Sequence, residues 1–142
     1  ADWDRLLHSN LRAPFILSQK LASALRQQQG SIINIVDVYA EKPLQNHTLY
    51  CMAKAGLAMM TRSLARELGP DIRVNGVSPG PILWPEAGQM NQQEIQDATA
   101  LKRCGTPQDI AQTVLWLGTQ APFVTGQILA VDGGRSLSLQ GS

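Results

Sequence analysis

Tyr50 and Lys54 stand four residues apart, and together they could carry out proton transfer. On a helix, residues i and i+4 lie on one face, so the phenol would stack beside the ammonium. A free tyrosine titrates near ~10, and an adjacent cation stabilises the phenolate and lowers that pKa. The pair therefore predicts a proton donor or acceptor that works near neutral pH, although this spacing alone also arises by chance in many helices.

A carboxyl group that could act with this pair, Asp37, lies thirteen residues before Tyr50. It directly follows residues 31–36, a short β-branched run that predicts a buried parallel strand. Ligands of α/β proteins collect at the carboxyl ends of such strands. Asp37 is thus a candidate for holding or relaying a proton, and the alternative is that it only caps a strand end or a turn.

Three helices are predicted among the elements that position these residues. Apolar residues at helical spacing predict a long helix over residues 3–28, which Pro14 could bend, and a second long helix over 48–68. Thr106, followed by a proline, predicts the N-terminus of a third helix that ends near residue 117.

Strands separate these helices. Besides residues 31–36, strands are predicted at 72–77 and 127–131, while the polar stretch from 82 to 101 is predicted as a loop. This order predicts one domain over residues 1–142 with an α/β fold, in which helices cover both faces of a parallel sheet. Three strands make half of a doubly wound, Rossmann-type sheet. No turn of the form G-x-G-x-x-G or G-x-x-x-G-x-G is present to bind a pyrophosphate.

Composition argues against several classes of function. Twelve basic and eleven acidic residues leave a formal charge of +1 without a basic block, which disfavours nucleic-acid binding. No apolar run approaches the ~18 to 20 residues of a membrane helix, so we expect no membrane segment and a cytoplasmic protein. Cys51 and Cys104 are interpreted as free thiols, and His8 and His47 have no third ligand near them in the sequence, so no metal site is predicted.

Four motifs, in their order and spacing, make the chain similar to the short-chain dehydrogenase/reductase family: residues 30–37 (GSIINIVD), 50–55 (YCMAKA), 73–80 (RVNGVSPG) and 131–134 (VDGG). The resemblance runs from the first helix to the end of the chain. It implies a Rossmann-type domain whose N-terminal, cofactor-binding half is absent from this sequence and is a partner it needs, with NADPH as the cofactor. It also implies a homotetramer that assembles through the two long helices.

The family usually has serine where this chain has Asp37, and an aspartate there resembles the pteridine reductases. That type uses an aspartate, a tyrosine and a lysine, so the resemblance implies that Asp37, Tyr50 and Lys54 are catalytic. It further implies that Asp37 and Tyr50 contact a dihydropterin, biopterin or folate-type ring, and that Tyr50 and Lys54 hold the cofactor. The substitution has a chemical reason, because reduction of a ring C=N leaves negative charge on a nitrogen that a carboxyl group can help to protonate.

Other positions follow from the same resemblance. Asn10 matches a helix asparagine that holds a water connecting the lysine to solvent, so it is counted as catalytic. Pro79 and Gly80 match a turn after which the backbone, near Ile82, contacts the nicotinamide. Family members often continue this turn with a threonine; here the next residues are leucine, Trp84 and proline, and Trp84 could stack on a flat substrate or simply pack.

Two rival interpretations stay open. In the first, the protein is another member of the same family that reduces a carbonyl on a steroid, sugar or acyl carrier substrate, and Asp37 is a chance variant. In the second, the chain is a non-enzymatic interaction protein or an inactive fragment, because the phosphate-binding turn is absent.

Overall fold

The computed structural model describes residues 2–82 and 92–138. The chain starts with a long helical segment in three parts: helix α1 (Asp2–Leu7), a π-helical turn (His8–Arg12) and helix α2 (Ala13–Gln28). The prediction of one long helix is confirmed, except that the turn before Pro14 is π-helical instead of α-helical. Proline lacks an N–H and its ring crowds the carbonyl four residues earlier, and the wider π turn, in which the Ala13 N–H bonds to the His8 carbonyl, accommodates it.

Three parallel strands form the sheet: β1 (Ser31–Ile35), β2 (Arg73–Pro79) and β3 (Ile128–Val131), in the order β1-β2-β3. The predicted strands are confirmed, with ends shifted by one or two residues. Ile33 of β1 lies opposite Asn75 of β2, and Val77 of β2 lies opposite Leu129 of β3. All three strands therefore point their carboxyl ends toward the same edge, where Asp37 follows β1.

Helices pack on both faces of this sheet. Helix α3 (Thr48–Leu68) contacts one face, where Val74 packs with Leu64 and Ala65. Helix α5 (Pro107–Thr119) contacts the other face, where Val77 packs with its side chains. Because Val74 and Val77 are an odd number of residues apart on one strand, their side chains point to opposite faces. The doubly wound, Rossmann-type arrangement predicted from the sequence is confirmed.

The stretch predicted as a loop contains a helix, α4 (Gln92–Ala98). It has no buried residue, so it lacks the apolar spacing from which a helix is predicted. The predicted start of α5 is confirmed: Thr106 and Asp109 form a reciprocal capping box, and a proline occupies the first turn. Short 3-10 helices follow β1 (Val38–Ala40) and β3 (Arg135–Ser138).

Within residues 2–82 and 92–138, none of the helices has both the length and the apolar character needed to cross a membrane.

Candidate active site

Asp37 lies at the carboxyl end of β1, where it caps the 3-10 helix Val38–Ala40. Its Oδ1 accepts a hydrogen bond of 2.9 Å from the backbone N–H of Tyr39. Its Oδ2 accepts a bond of 2.6 Å from the hydroxyl of Tyr50. The two interpretations of Asp37 are thus compatible, because one carboxylate both caps a turn and contacts the phenol.

Helix α3 places Tyr50 and Lys54 together. The helix begins at Thr48, so Tyr50 is in its first turn, and Lys54 follows on the same face with Nζ 5.9 Å from the centre of the Tyr50 ring. The Lys54 ammonium also donates a 3.2 Å hydrogen bond to the carbonyl of Ile35, the last residue of β1. The predicted stacking of the two side chains is confirmed, and the end of β1 fixes the position of both Asp37 and Lys54.

The pKa of Tyr50 is shifted in the direction opposite to the prediction. Burial raises the pKa of the Tyr50 phenol above its ordinary value, and the hydrogen bond to Asp37 and the negative charge of that residue raise it further. The pKa of Lys54 is lowered by burial, which the charge of Asp37 partly offsets. In this arrangement the phenol keeps its proton at neutral pH, and the role of Tyr50 as a proton donor stays a prediction.

Asn10 lies in the π-helical turn, and its side-chain amide donates to the Leu6 carbonyl at 2.9 Å and to the Ser9 hydroxyl at 3.3 Å. Among the described residues, no hydrogen bond joins Asn10 to Lys54. The turn does pack closely on α3, because a Cβ added at Gly56 would come within 2.9 Å of Leu11. The water-holding role of Asn10 stays a prediction.

The residues after β2 lie at the same edge of the sheet. Pro79 ends β2 opposite Val131, and the Gly80 N–H donates a 3.0 Å hydrogen bond to the Val131 carbonyl. The Ile82 side chain is buried in the core under α5, and its backbone forms a bridge with Gly105. The cofactor-binding roles of Pro79, Gly80 and Ile82 stay predictions, and Trp84 lies outside the described residues.

Two cavities open near the carboxyl ends of the strands. A cavity of about 560 Å³ is lined by Pro81, Arg103, Asp109 and Asp132, among others, and contains none of Asp37, Tyr50 or Lys54. A smaller one of about 80 Å³ includes Asp37 in its wall, together with Lys42 and Ser78. We place the site beside the smaller cavity, because its wall includes Asp37, which accepts the hydrogen bond from Tyr50. Tyr50 and Lys54 themselves line neither of these two cavities.

Sequence reasoning did not identify Lys42, Ser78 or Ser136, which line this smaller cavity with Asp37. Lys42 lies in a bend, Ser78 near the end of β2 and Ser136 in the 3-10 helix Arg135–Ser138, so only the fold brings the three together. The backbone N–H of Tyr39 was also missed, although an aspartate directly after a strand often accepts such a bond in a turn. Among the described residues, no group of three or more His, Cys, Asp or Glu side chains could hold a metal ion.

Comparison with known proteins finds a matching family model and several similar reductases. Residues 1–136 match a family model described as enoyl-(acyl carrier protein) reductase. The chain is 39% identical to an L-xylulose reductase of Caenorhabditis elegans, over 94% of this chain and 57% of that protein. It is 37% identical to pteridine reductase 1 of Leishmania tarentolae, over 94% of this chain and 50% of that protein.

The fold has close structural neighbours as well. An apo SCOR enzyme from Clostridium thermocellum superposes with a TM-score of 0.86 at 36% identity, over 95% of this chain and 54% of that one. The chain spans about half the length of the curated relatives it matches.

Proposed function

Since the chain belongs to the short-chain dehydrogenase/reductase family, we propose that it is the proton-transfer half of a cytoplasmic, NADPH-dependent reductase of a pterin. The substrate is a dihydropterin, biopterin or related folate-type ring. The observation that carries this proposal is the 2.6 Å hydrogen bond between Tyr50 and Asp37. This bond supports a role for the aspartate in proton transfer, and the relatives of this chain include a protein named pteridine reductase 1.

Tyr50 and Asp37 would share one proton during the reaction. The raised pKa of Tyr50 keeps the proton on the phenol in the resting state, and the short bond gives that proton a path to the carboxylate. A carboxyl group that has taken up the proton can present it to a ring nitrogen. The ammonium of Lys54, beside the phenol ring, then stabilises the phenolate that remains.

The residues at this edge also fit a nicotinamide nucleotide. Bound NADPH would supply the hydride that adds to the ring carbon of the C=N bond, while the proton adds to the nitrogen. Lys54 is half-buried, and its hydrogen bond to Ile35 leaves two further hydrogens that can meet ribose hydroxyls. Lys54 and the Tyr50 hydroxyl would hold the ribose, and Pro79, Gly80 and Ile82 would border the nicotinamide.

The competing proposal within the family is reduction of an ordinary carbonyl. It is favoured by the 39% identity to an L-xylulose reductase, and the Tyr50–Lys54 pair alone can protonate a carbonyl oxygen. A panel assay on the full-length protein tests the choice, with dihydrobiopterin, dihydrofolate and simple ketones, each with NADPH and with NADH. We expect the highest kcat/KM for a dihydropterin with NADPH. A ketone or sugar turned over faster than every pterin contradicts the pterin proposal.

A homotetramer is part of the same proposal. Large apolar side chains are exposed on the two long helices, including Leu17 and Leu21 on α2 and Met52 and Met59 on α3. Exposed apolar surface of this kind favours association with another subunit. Light scattering of the full-length protein should give four times the subunit mass, and a monomer mass contradicts it.

A further inference from the structure

A buried polar pair joins strand β1 to helix α3. The side-chain amide of Asn34, on β1, donates a 2.9 Å hydrogen bond to the hydroxyl of Thr61, on α3. Asn34 is 7% exposed and Thr61 is fully buried. Ile32 and Val36, two residues before and after Asn34, belong to two separate apolar clusters that include side chains of α3. The bond therefore lies between two apolar contacts of the same strand and helix.

The hydroxyl of Thr61 has a fixed direction. It donates a 2.8 Å hydrogen bond to the carbonyl of Leu57, one turn earlier on α3, so its lone pairs remain to accept from Asn34. Apolar contacts are non-directional, whereas a hydrogen bond weakens steeply when its length or angle changes. The pair thus fixes α3 relative to β1 more strictly than the apolar clusters on either side of it.

Thr61 lies on the same face of α3 as the proposed proton-transfer groups. It follows Lys54 by seven residues and Tyr50 by eleven, and each interval is within about 20° of a whole number of turns. On the strand, Asn34 directly precedes the residue whose carbonyl accepts from Lys54, and Asp37 follows three residues later. Three hydrogen bonds therefore connect this face of α3 to β1 and its end, and the one between Asn34 and Thr61 has both partners buried.

Stability alone gives little reason for a polar pair at this position. Replacing both partners of a buried hydrogen bond by apolar groups of the same shape can be nearly neutral for stability. Such a replacement does lose the direction that the bond imposes. Resting on the proposed function, we propose that Asn34 and Thr61 are positioning residues, whose bond sets α3 against β1 at the distance that proton transfer needs.

The test compares two changes in the full-length protein. Thr61→Ser removes a methyl group and keeps the hydroxyl, whereas the double variant Asn34→Leu/Thr61→Val keeps the apolar volume and removes the bond. In the double variant we expect kcat to fall about tenfold or more with KM nearly unchanged, because a displacement of about 1 Å can cost about 10²-fold. The substrate is whichever pterin or ketone the wild type reduces fastest.

Two other variants should keep the wild-type kcat. Thr61→Ser should keep it although it loses packing, because the hydroxyl can still accept from Asn34. Ser31→Ala is the matched control, since it removes a hydrogen bond from β1 to the Gly118 carbonyl of α5, on the other side of the sheet. A loss in Thr61→Ser as large as that in the double variant would mean that Thr61 acts through packing, and it overturns the proposal.

NMR of the Tyr50 side chain needs no substrate, so it separates this inference from the proposed function. With isotopically labelled tyrosine, the ring carbon that carries the hydroxyl reports the hydrogen bond to Asp37. Tyr50→Phe assigns the signal, and Asp37→Ala gives its position without the bond. In the double variant the signal should move toward the position in Asp37→Ala, and in Thr61→Ser it should stay at the wild-type position.

These measurements decide the proposal even if no pterin or ketone is reduced. In that case the proposed function fails, and the Tyr50 signal alone tests whether the buried pair positions the phenol. A folded double variant with the wild-type signal or the wild-type kcat overturns the inference. A double variant that does not fold overturns it as well, because the pair would then be required for the fold instead of for the position of α3.

Discussion

Asp37 uses its two carboxylate oxygens differently, and this division explains how a strand-end residue can take part in chemistry. Oδ1 is fixed by the backbone of the following turn, so the side chain cannot rotate freely. Oδ2 is thereby aimed at the Tyr50 hydroxyl. A serine at this position has one oxygen instead of two, so it could not cap the turn and contact the phenol in the same way.

Replacing Asp37 by serine tests its part in pterin reduction. A ketone needs one proton, which Tyr50 can deliver, whereas the ring nitrogen also needs a donor placed beside it. In Asp37→Ser we expect kcat/KM for a dihydropterin to fall by about 10²-fold or more, the usual weight of a positioned acid, with cofactor affinity nearly unchanged. Ketone reduction, where detectable, should survive or improve. Asp71→Ser, at an exposed aspartate, is the control. Equal losses of kcat/KM on the pterin and the ketone in Asp37→Ser would mean that Asp37 is a structural residue.

The titration of Tyr50 should depend on Asp37. A phenol whose pKa is raised on folding adds stability that is fully present below its unfolded pKa of about 10 and is lost as the pH rises through the folded pKa. Asp37→Asn removes the negative charge and leaves the burial, so the Tyr50 pKa should fall toward the ordinary value without reaching it. Ultraviolet difference titration against Tyr50→Phe measures this pKa in each protein. An unchanged midpoint in Asp37→Asn would mean that burial alone sets it.

The geometry of the site could be predicted from the sequence, but its electrostatics could not. Spacing on a helix places Tyr50 beside Lys54, and a strand that ends at residue 35 places Asp37 at the same edge. The direction of the Tyr50 pKa shift depends on burial and on which oxygen the hydroxyl faces, and neither leaves a pattern in the sequence.

At the scale of elements, the ends of β2 and β3 are held together by a very close backbone contact. A Cβ added at Gly80 would lie 2.5 Å from the Cβ of Asp132 and 2.7 Å from its Cα. The carboxylate of Asp132 in turn accepts bonds from the backbone N–H groups of Gly134 and Ser136, which hold the turn after β3 in place. Gly80 is therefore required by the packing of the strands, whatever it contributes to a cofactor.

Replacing Gly80 by alanine should destabilise the protein, because the added methyl group meets backbone-anchored atoms rather than a flexible side chain. We expect a loss of about 2 kcal/mol or more in the free energy of unfolding, measured with urea. Gly118→Ala is the matched control, since its Cβ would meet only the Ser31 hydroxyl at 3.7 Å and alanine favours a helix. Normal stability with weakened cofactor binding in Gly80→Ala would instead assign this glycine to the cofactor.

Elements with an apolar face were predictable, and those without one were not. α3 and α5 each bury side chains against the sheet, so their spacing is visible in the sequence. α4 buries none, and its polar residues are also compatible with a loop. The π-helical turn was missed because it changes the hydrogen-bond register while keeping residues 2–28 helical.

At the scale of the whole molecule, one edge of the sheet is open. Within the described residues, β1 pairs only with β2, which leaves the backbone N–H and carbonyl groups of its other edge without a strand. Ile35, at the carboxyl end of β1, is 45% exposed. An unpaired apolar edge of a parallel sheet favours pairing with another strand. We infer that a further parallel strand, supplied by the N-terminal half of the same domain, covers β1.

Expression of residues 1–142 alone tests this inference. With the β1 edge open, we expect aggregates or mixed oligomers by size-exclusion chromatography with light scattering, because unpaired strand edges act as templates for other chains. Ile35→Lys places a charge beside that edge and should reduce the association. Leu137→Lys changes a more exposed apolar residue away from the edge and should have a smaller effect. A stable, monodisperse monomer of the unmodified 142-residue chain would show that β1 needs no further strand.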